Sequence, residues 1–246
     1  MKKVIAVVAI MAVFGFAIGA LAPESAKAGT LVYESFDTLE GAPTDPLNGT
    51  TTDVGGLTWA AHTDWDADGT LDMNGHKGAF VPFVPAEGTI YTLSATLDPE
   101  NTTTSNWYAL GFVNNIADLT KTFDSTGQGI GWILNRDNGR FQNFLGPVTA
   151  GGGGQDPVAP VGDPIDVNIV LDTTDANHAN WTVTWLANDI LLRGPEAFGY
   201  SPNINYAGFA GTIPGSVDDF KLSVVPEPAG LGLIGLTLLA VRKRRS

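Results

Sequence analysis

The sequence has no cysteine in its 246 residues and few basic residues. The lack of cysteine excludes a disulfide framework, zinc sites built from thiolates and a cysteine nucleophile. Residues 29–225 contain six Lys and Arg against twenty-four Asp and Glu, a net charge of −18. A region this acidic is a poor partner for nucleic acid or for an anionic membrane surface. We therefore expect no nucleic-acid partner.

The N-terminal segment has the pattern of a secretory signal. Lys2 and Lys3 precede an almost entirely apolar stretch over residues 4–22, and Ala26-Lys27-Ala28 forms a small-x-small cleavage site. This pattern predicts a signal helix within residues 1–28, read by the secretion translocase and removed by signal peptidase before Gly29. The alternative is an uncleaved N-terminal anchor, because the apolar stretch is long for a signal. Both alternatives predict export.

The C-terminal segment has three parts in a fixed order. A proline-rich motif, Val225-Pro226-Glu227-Pro228, is followed by an apolar run over residues 229–241 and by the basic cluster Arg242-Lys243-Arg244-Arg245. The run is shorter than the roughly 20 residues that a relaxed helix needs to cross a bilayer. Snorkelling basic side chains extend its reach, so the pattern predicts a short transmembrane helix with its basic end on the cytoplasmic side.

Residues 225–246 closely resemble the PEP-CTERM sorting signal of exopolysaccharide-producing bacteria. The resemblance implies recognition and cleavage near Pro226-Glu227-Pro228 by an exosortase, an integral-membrane cysteine protease. It further implies an intermediate anchored in the inner membrane, followed by the cell envelope or the extracellular matrix. It specifies where the protein goes and does not specify what the protein does there.

The middle of the chain, residues 29–224, has the pattern of an all-β domain. Runs rich in Val, Ile, Thr and aromatic residues recur between Gly, Pro, Asn and Asp clusters, and no long helical periodicity interrupts them. A long, unpaired loop is predicted over residues 146–164, which include four consecutive glycines. Predicted strands cover residues 31–36, 79–83, 89–97, 107–113, 130–135, 140–145, 165–171, 181–185, 190–193, 206–210 and 217–224.

Three diffuse patterns in this domain resemble the jelly-roll β-sandwiches of the concanavalin A-like lectin/glucanase family. They are the opening Tyr33-Glu34-Ser35-Phe36-Asp37, the pair Leu171-Asp172-Thr173 and Trp181-Thr182-Val183, and the closing Val217-Asp218-Asp219-Phe220. The resemblance implies an antiparallel jelly-roll in which the first and last strands lie side by side. It supports the fold far more than any activity.

An acidic segment, residues 64–72, is the strongest candidate metal site. Asp64, Asp66, Asp68 and Asp72 stand at positions one, three, five and nine of a calcium-loop pattern, and Gly69 allows the bend. Position twelve is glycine, so a complete EF-hand is not expected. The alternatives are a partial Ca²⁺ site completed from elsewhere and a solvated acidic connection. Trp65 within this segment is predicted to be exposed and is the candidate platform for a sugar ring.

No catalytic residues are predicted. Glucanases of this fold use a Glu-x-Asp-x-x-Glu strand or a close variant, and none of Glu34, Glu40, Glu87, Glu100 and Glu196 has such a partner. The sequence therefore favours a non-enzymatic, exported structural or adhesive protein with possible contacts to extracellular polysaccharide. The alternative is an exported carbohydrate-active enzyme with an unfamiliar site.

Overall fold

The computed structural model describes residues 29–36, 45–71, 75–99, 107–120, 123, 128–136, 139–146, 153–154, 164–212 and 214–226. Within these residues the regular elements are fourteen strands and one 3-10 helix, His178–Asn180. The strands are β1 Gly29–Glu34, β2 Ala60–Ala61, β3 Thr70–Leu71, β4 Lys77–Pro82, β5 Thr89–Pro99, β6 Trp107–Val113, β7 Gly129–Arg136, β8 Phe141–Phe144, β9 Gly153–Gly154, β10 Ile165–Asp172, β11 Thr182–Ala187, β12 Ile190–Ala197, β13 Tyr206–Gly211 and β14 Gly215–Pro226.

The strands form two antiparallel sheets. The first has the order β1-β14-β5-β10-β11-β12, with β3 also pairing β14, and the second has the order β2-β4-β13-β6-β7-β8-β9. The first and last strands are neighbours, with Gly29 opposite Val224 and Glu34 opposite Phe220. This confirms the predicted side-by-side placement of the terminal strands.

The core lies between the sheets, and the period-two pattern of the strands produces it. In β5 and β10 every second side chain is buried, which gives each strand one apolar face. One continuous cluster combines side chains of both sheets, including Leu93, Ile169, Trp185, Phe112 and Phe209. The molecule is therefore an all-β sandwich.

A second, smaller cluster covers the outer face of the second sheet. Trp132 stacks on Phe144 with ring centroids 4.0 Å apart, and Phe123 from the β6–β7 connection stacks on Trp132 at 5.2 Å. Ile116 and Leu119 of the same connection pack against this cluster. The described part of that connection therefore lies over the sheet and buries its aromatic face.

The predicted strands agree with the structure within a few residues, and β7 pairs with β8 and β11 with β12 as hairpins. Asn188 and Asp189 both have positive φ, as a tight turn between twisted antiparallel strands requires. The prediction that residues 146–164 do not pair is wrong at β9, which pairs with β8. Pairing at a sheet edge uses backbone groups alone, so a glycine run can join an edge without any side-chain pattern.

The sandwich belongs to a compact unit that extends from Lys27 to Glu227. Within the part of the chain that the structure describes, no helix has the length and apolar character needed to span a membrane. The predicted signal segment, residues 1–28, and the predicted short transmembrane segment, residues 229–241, lie outside the described residues.

Candidate functional site

A row of outward-facing side chains crosses five strands of the first sheet. In β5 Leu93 and Ala95 point into the core, so Ser94 between them points outward. Neighbouring strands are about 4.8 Å apart, so the row is about 19 Å long. Register partners along the row are Tyr33 with Lys221, Lys221 with Ser94, Ser94 with Asn168, and Asn168 with Leu186.

Two depressions follow this row and share Ser94 and Asp219. One has a volume of about 500 Å³ and is lined by Thr30, Tyr33, Val54, Ser94, Asp219 and Lys221. The other has a volume of about 260 Å³, and its lining includes Ser94, Thr96, Asp166, Asn168, Asp189 and Asp219. We call the two together the outer groove.

A β-bulge in β14 shapes the middle of the outer groove. Asp218 lies opposite Thr96 and Lys221 opposite Ser94, so β14 holds one more residue than β5 over this interval. Asp219 adopts a φ of +50°, and its N–H donates to Asp218 Oδ1 at 2.7 Å. A bulge re-aims the side chain it carries. Here it brings Asp219 Oδ1 within 2.7 Å of the Tyr33 hydroxyl, which donates to it.

Hydrogen bonds also fix the β10 side of the groove. The Thr96 hydroxyl donates to Asp166 Oδ1 at 2.8 Å. The Asp166 N–H donates to Asn188 Oδ1 at 3.1 Å, which ties β10 to the β11–β12 turn. Asp189, in the same turn, lines the groove. Hydrogen bonds within the protein therefore fix the orientation of oxygen atoms that line the groove.

The electrostatic character of the outer groove is negative. Among the described residues that line it, Asp166, Asp189 and Asp219 are carboxylates and Lys221 is a cation. Tyr33, half-buried beside the exposed Val54, provides an aromatic surface at one end. An aromatic ring next to several oriented oxygens can bind a pyranose, because its C–H face packs on the ring and its hydroxyls hydrogen-bond.

A separate depression of about 260 Å³ lies at one end of the sandwich. His178 stacks on Trp181 with ring centroids 4.1 Å apart, and its Nε2 lies 2.7 Å from Glu87 Oε1. Val84, 72% exposed, forms part of the wall. Trp181 is only 3% exposed, so its ring is not an open platform.

The acidic segment does not gather its described carboxylates into one site. Asp64 Oδ2 pairs with Lys77 Nζ at 3.0 Å, whereas Asp68 Oδ1 accepts from the N–H and hydroxyl of Thr70 at 3.0 and 2.7 Å. Among the described residues, no group of three or more His, Asp or Glu side chains could hold a metal ion. Asp64, Asp66 and Asp68 therefore do not converge as the calcium pattern predicted, and Asp72 lies outside the described residues.

The prediction that Trp65 is exposed is wrong. Its side chain is 0% exposed, packs edge-on against Phe209 with centroids 4.9 Å apart, and donates from Nε1 to the Lys77 carbonyl at 3.2 Å. Short backbone pairings, Trp65 with Leu71 and Asp66 with Pro46, give this segment a strand-like alternation that turns the indole inward. Trp65 belongs to the core and offers no surface to a sugar.

A buried carboxyl group lies next to the outer groove in sequence but faces the other way. Glu34 is 1% exposed, and its Oε2 accepts from Trp59 Nε1 at 3.3 Å. Burial raises the pKa of Glu34 above its usual value of 4.5, and the nearby Asp53 charge raises it further, while the Trp59 hydrogen bond opposes the shift. The acid is enclosed and has no access to a ligand in the groove.

Only the first two residues of the predicted sorting motif lie within the described residues. Val225 and Pro226 are the last residues of β14 and pair with Ile90 and Thr89 of β5. Glu227, Pro228, Arg242, Lys243, Arg244 and Arg245 lie outside the described residues.

Sequence reasoning missed the outer groove. Tyr33 and Asp219 were noted only as part of a family resemblance, and they are 186 positions apart in the chain. One usable signal was present. Asp218-Asp219 places two adjacent acids inside a strand whose other residues alternate, and such a break in alternation indicates a bulge.

No protein-family model matches the sequence, and no curated protein is detectably similar to it. Solved structures with similar folds include a sialidase of Trypanosoma rangeli, at 12% identity over 80% of this chain and a TM-score of 0.50; this chain spans 30% of the sialidase. The Emp47p carbohydrate recognition domain is 13% identical, with 82% and 98% of the two chains covered and a TM-score of 0.43. Domain 4 of the arabinanase AbnA from Geobacillus stearothermophilus is 18% identical, with 81% and 93% covered and a TM-score of 0.41. At these identities, the likeness to the sialidase bears on the fold alone and supports the β-sandwich.

Proposed function

We propose that the protein is an exported, non-enzymatic envelope or matrix component whose jelly-roll sandwich binds an extended glycan along the outer groove. The observation that carries this proposal is the groove itself. It joins the Tyr33 ring on β1, the oriented carboxylates of Asp166 on β10 and Asp219 on β14, and outward-facing hydroxyls into one surface about 14 Å long across four strands. A surface of this length fits a stretch of polysaccharide better than a single terminal sugar.

The charge of the groove selects the class of glycan. Its lining contains three carboxylates and one ammonium group, and residues 29–225 carry a net charge of −18. Like charges across an interface disfavour binding, whereas opposite charges speed encounter and fix register. The expected ligand is therefore a neutral or amino-sugar polysaccharide, and a uronate-rich polymer is the disfavoured class.

Export and sorting form the second part of the proposal, and the terminal sequence patterns support it. The secretion translocase and signal peptidase would act on residues 1–28, and an exosortase would act at the motif beginning with Val225 and Pro226. Until that step, the C-terminal apolar run would hold the protein in the inner membrane. Intact-mass measurement of the protein recovered from the native envelope and medium tests this by locating both cleavage points.

A binding experiment with matched tyrosine variants tests the glycan proposal. The probes are chitosan as the cationic polymer, cellulose as the neutral one and alginate as the anionic one. We expect binding to chitosan or cellulose, and we expect Tyr33→Ala to weaken it about tenfold, because the ring and its hydrogen bond to Asp219 are lost. Tyr200→Ala is the control, since Tyr200 is an exposed tyrosine outside the groove.

Three outcomes count against the proposal. Unchanged binding by both Tyr33→Ala and Asp219→Ala would remove the groove from it. Binding that disappears with EDTA and in Asp64→Ala and Asp68→Ala variants would place recognition in the acidic segment with Ca²⁺. Release of reducing sugars or unsaturated products from the polymers would favour the alternative, an exported carbohydrate-active enzyme.

A further inference from the structure

The end of β14 coincides with the start of the sorting motif. Val225 lies opposite Ile90 and Pro226 opposite Thr89, so the first two residues of Val225-Pro226-Glu227-Pro228 are part of the sheet. Thr89 is also hydrogen-bonded on its other side. The Thr89 carbonyl accepts from the Thr173 N–H at 2.9 Å and from the Thr173 hydroxyl at 2.7 Å. The β5 side of this pairing is therefore anchored, and any opening must come from β14.

The other predicted processing point lies at the same end of the same sheet. Gly29, the residue expected to follow signal removal, is the first residue of β1 and lies opposite Val224. β1 and β14 are adjacent and antiparallel. The two predicted cut points therefore flank neighbouring strand ends, and no spacer within the described residues separates the sheet from the motif.

A protease binds its substrate as an extended segment whose backbone groups are free to pair with the enzyme. In β14 the backbone facing β5 already takes part in the β ladder up to Pro226. Strand ends open locally far more often than the whole domain unfolds. Pro226 has no amide proton, which limits the hydrogen bonding of the last rung. Protease access to the motif is then set by how often the two register pairs Val225–Ile90 and Pro226–Thr89 separate.

We propose that the folded sandwich restrains processing of its own sorting motif, and that fraying of Val225 and Pro226 from β5 admits the protease. This inference rests on the proposed sorting function. Processing breaks one peptide bond: the enzyme nucleophile takes the acyl group on the sandwich side, and the amine leaves with the C-terminal segment. Water or an acceptor nucleophile then takes the acyl group from the enzyme. Chains that have not yet folded are processed faster than folded chains.

A spacer experiment tests the restraint in the full-length protein produced in its native host. Inserting Gly-Ser-Gly-Ser between Val224 and Val225 moves the motif off the sheet while leaving its sequence intact. We expect processing, followed by pulse-chase and intact mass, to become about tenfold faster, the effect of removing one or two net backbone hydrogen bonds. The control is the same insertion between Gly151 and Gly152, which should leave the rate unchanged.

A reversible clamp tests the same inference in the opposite direction. Register partners in antiparallel strands have Cα atoms about 4.5–5.5 Å apart, within the range that a disulfide spans. The double variant Ile90→Cys and Val225→Cys can therefore lock the motif to β5, and the chain has no other cysteine to interfere. We expect the oxidised form to be processed at least tenfold more slowly than its own reduced form.

The outcomes separate this inference from the proposal on which it rests. If the wild-type precursor and all variants remain uncut at the motif, the sorting function itself is wrong. If the wild type is processed and neither the spacer nor the oxidised clamp changes the rate, the restraint is wrong and sorting stands. An equal acceleration by the control insertion would also overturn the restraint, since it would indicate general loosening of the sandwich.

Discussion

Tyr33 and Glu34 are neighbours in β1 and have opposite surroundings. Tyr33 faces the outer groove and donates to Asp219, whereas Glu34 is enclosed in the core beside Trp59. The alternation of a strand explains the difference, because successive side chains point to opposite faces of the sheet. One short segment thus supplies an aromatic side chain to the outer groove and a buried acid to the core.

The raised pKa of Glu34 predicts a pH-dependent loss of stability. The folded state holds the proton more tightly than the unfolded state, so the stabilisation is complete below the ordinary value of 4.5 and is lost as the pH rises through the raised pKa. Glu34→Gln keeps an acceptor for Trp59 and removes the charge. We expect its melting temperature to exceed the wild-type value by a few degrees at about pH 7 and to match it at about pH 4.

Asp45→Asn is the control for this measurement, because Asp45 is an exposed carboxylate. Thermal unfolding followed by circular dichroism at both pH values is sufficient. An identical pH dependence in the wild type and in Glu34→Gln would show that Glu34 does not titrate as its burial implies.

At the scale of elements, β13 shows how closely the strands of the second sheet approach. β13 lies between β4 and β6, and its third residue is Gly208. A Cβ atom at this position would lie 2.1 Å from the Ala79 carbonyl oxygen and 2.8 Å from the Phe80 Cα. Both are backbone atoms of the neighbouring strand, so they cannot move without disturbing the pairing.

Gly208→Ala should therefore destabilise the sandwich by about 2 kcal/mol or more, the cost of overpacking a rigid site. The comparison variant is Gly88→Ala, where the new Cβ has no neighbour within 4 Å and the cost comes only from a φ of +74°. That cost is about 1 kcal/mol. Urea unfolding of the two variants tests the ranking, and an equal or smaller loss for Gly208→Ala would show that the strands separate easily.

For the whole molecule, the main physical feature is its excess of negative charge. Residues 29–225 carry a net charge of −18 without a disulfide to restrain them. Self-repulsion of this size keeps the protein soluble and opposes compaction. Within the described residues, the ion pairs Lys77–Asp64 and Arg193–Glu196 offset only a small part of this repulsion.

Screening this repulsion should stabilise the fold. Raising NaCl from about 10 mM to about 300 mM shortens the screening length from about 30 Å to about 6 Å. We expect the melting temperature to rise by a few degrees over this range. KCl at equal ionic strength is the control for ion-specific effects, and a melting temperature that falls with NaCl would show that local ion pairs outweigh the repulsion.

The pairing of the first strand with the last was expected only from the resemblance to a known family, whereas the all-β class and the position of most strands were determined by the sequence itself. These follow from local information, because a period-two pattern such as Ile165, Val167, Ile169 and Leu171 fixes which face of a strand is buried. The burial of Trp181 and Trp185 was predictable for the same reason. Patterns at both ends supplied the sorting hypothesis without any knowledge of the fold.

Only the tertiary structure decided which outward-facing residues lie together. The contact between Tyr33 and Asp219 depends on the register of β1 and β14 and on a one-residue bulge, neither of which a local pattern specifies. The burial of Trp65 was not predicted, because it comes from isolated bridges, Trp65 with Leu71 and Asp66 with Pro46, and not from a regular strand. Burial of an individual side chain follows from local periodicity where a strand is long, whereas a binding surface depends on how distant strands align.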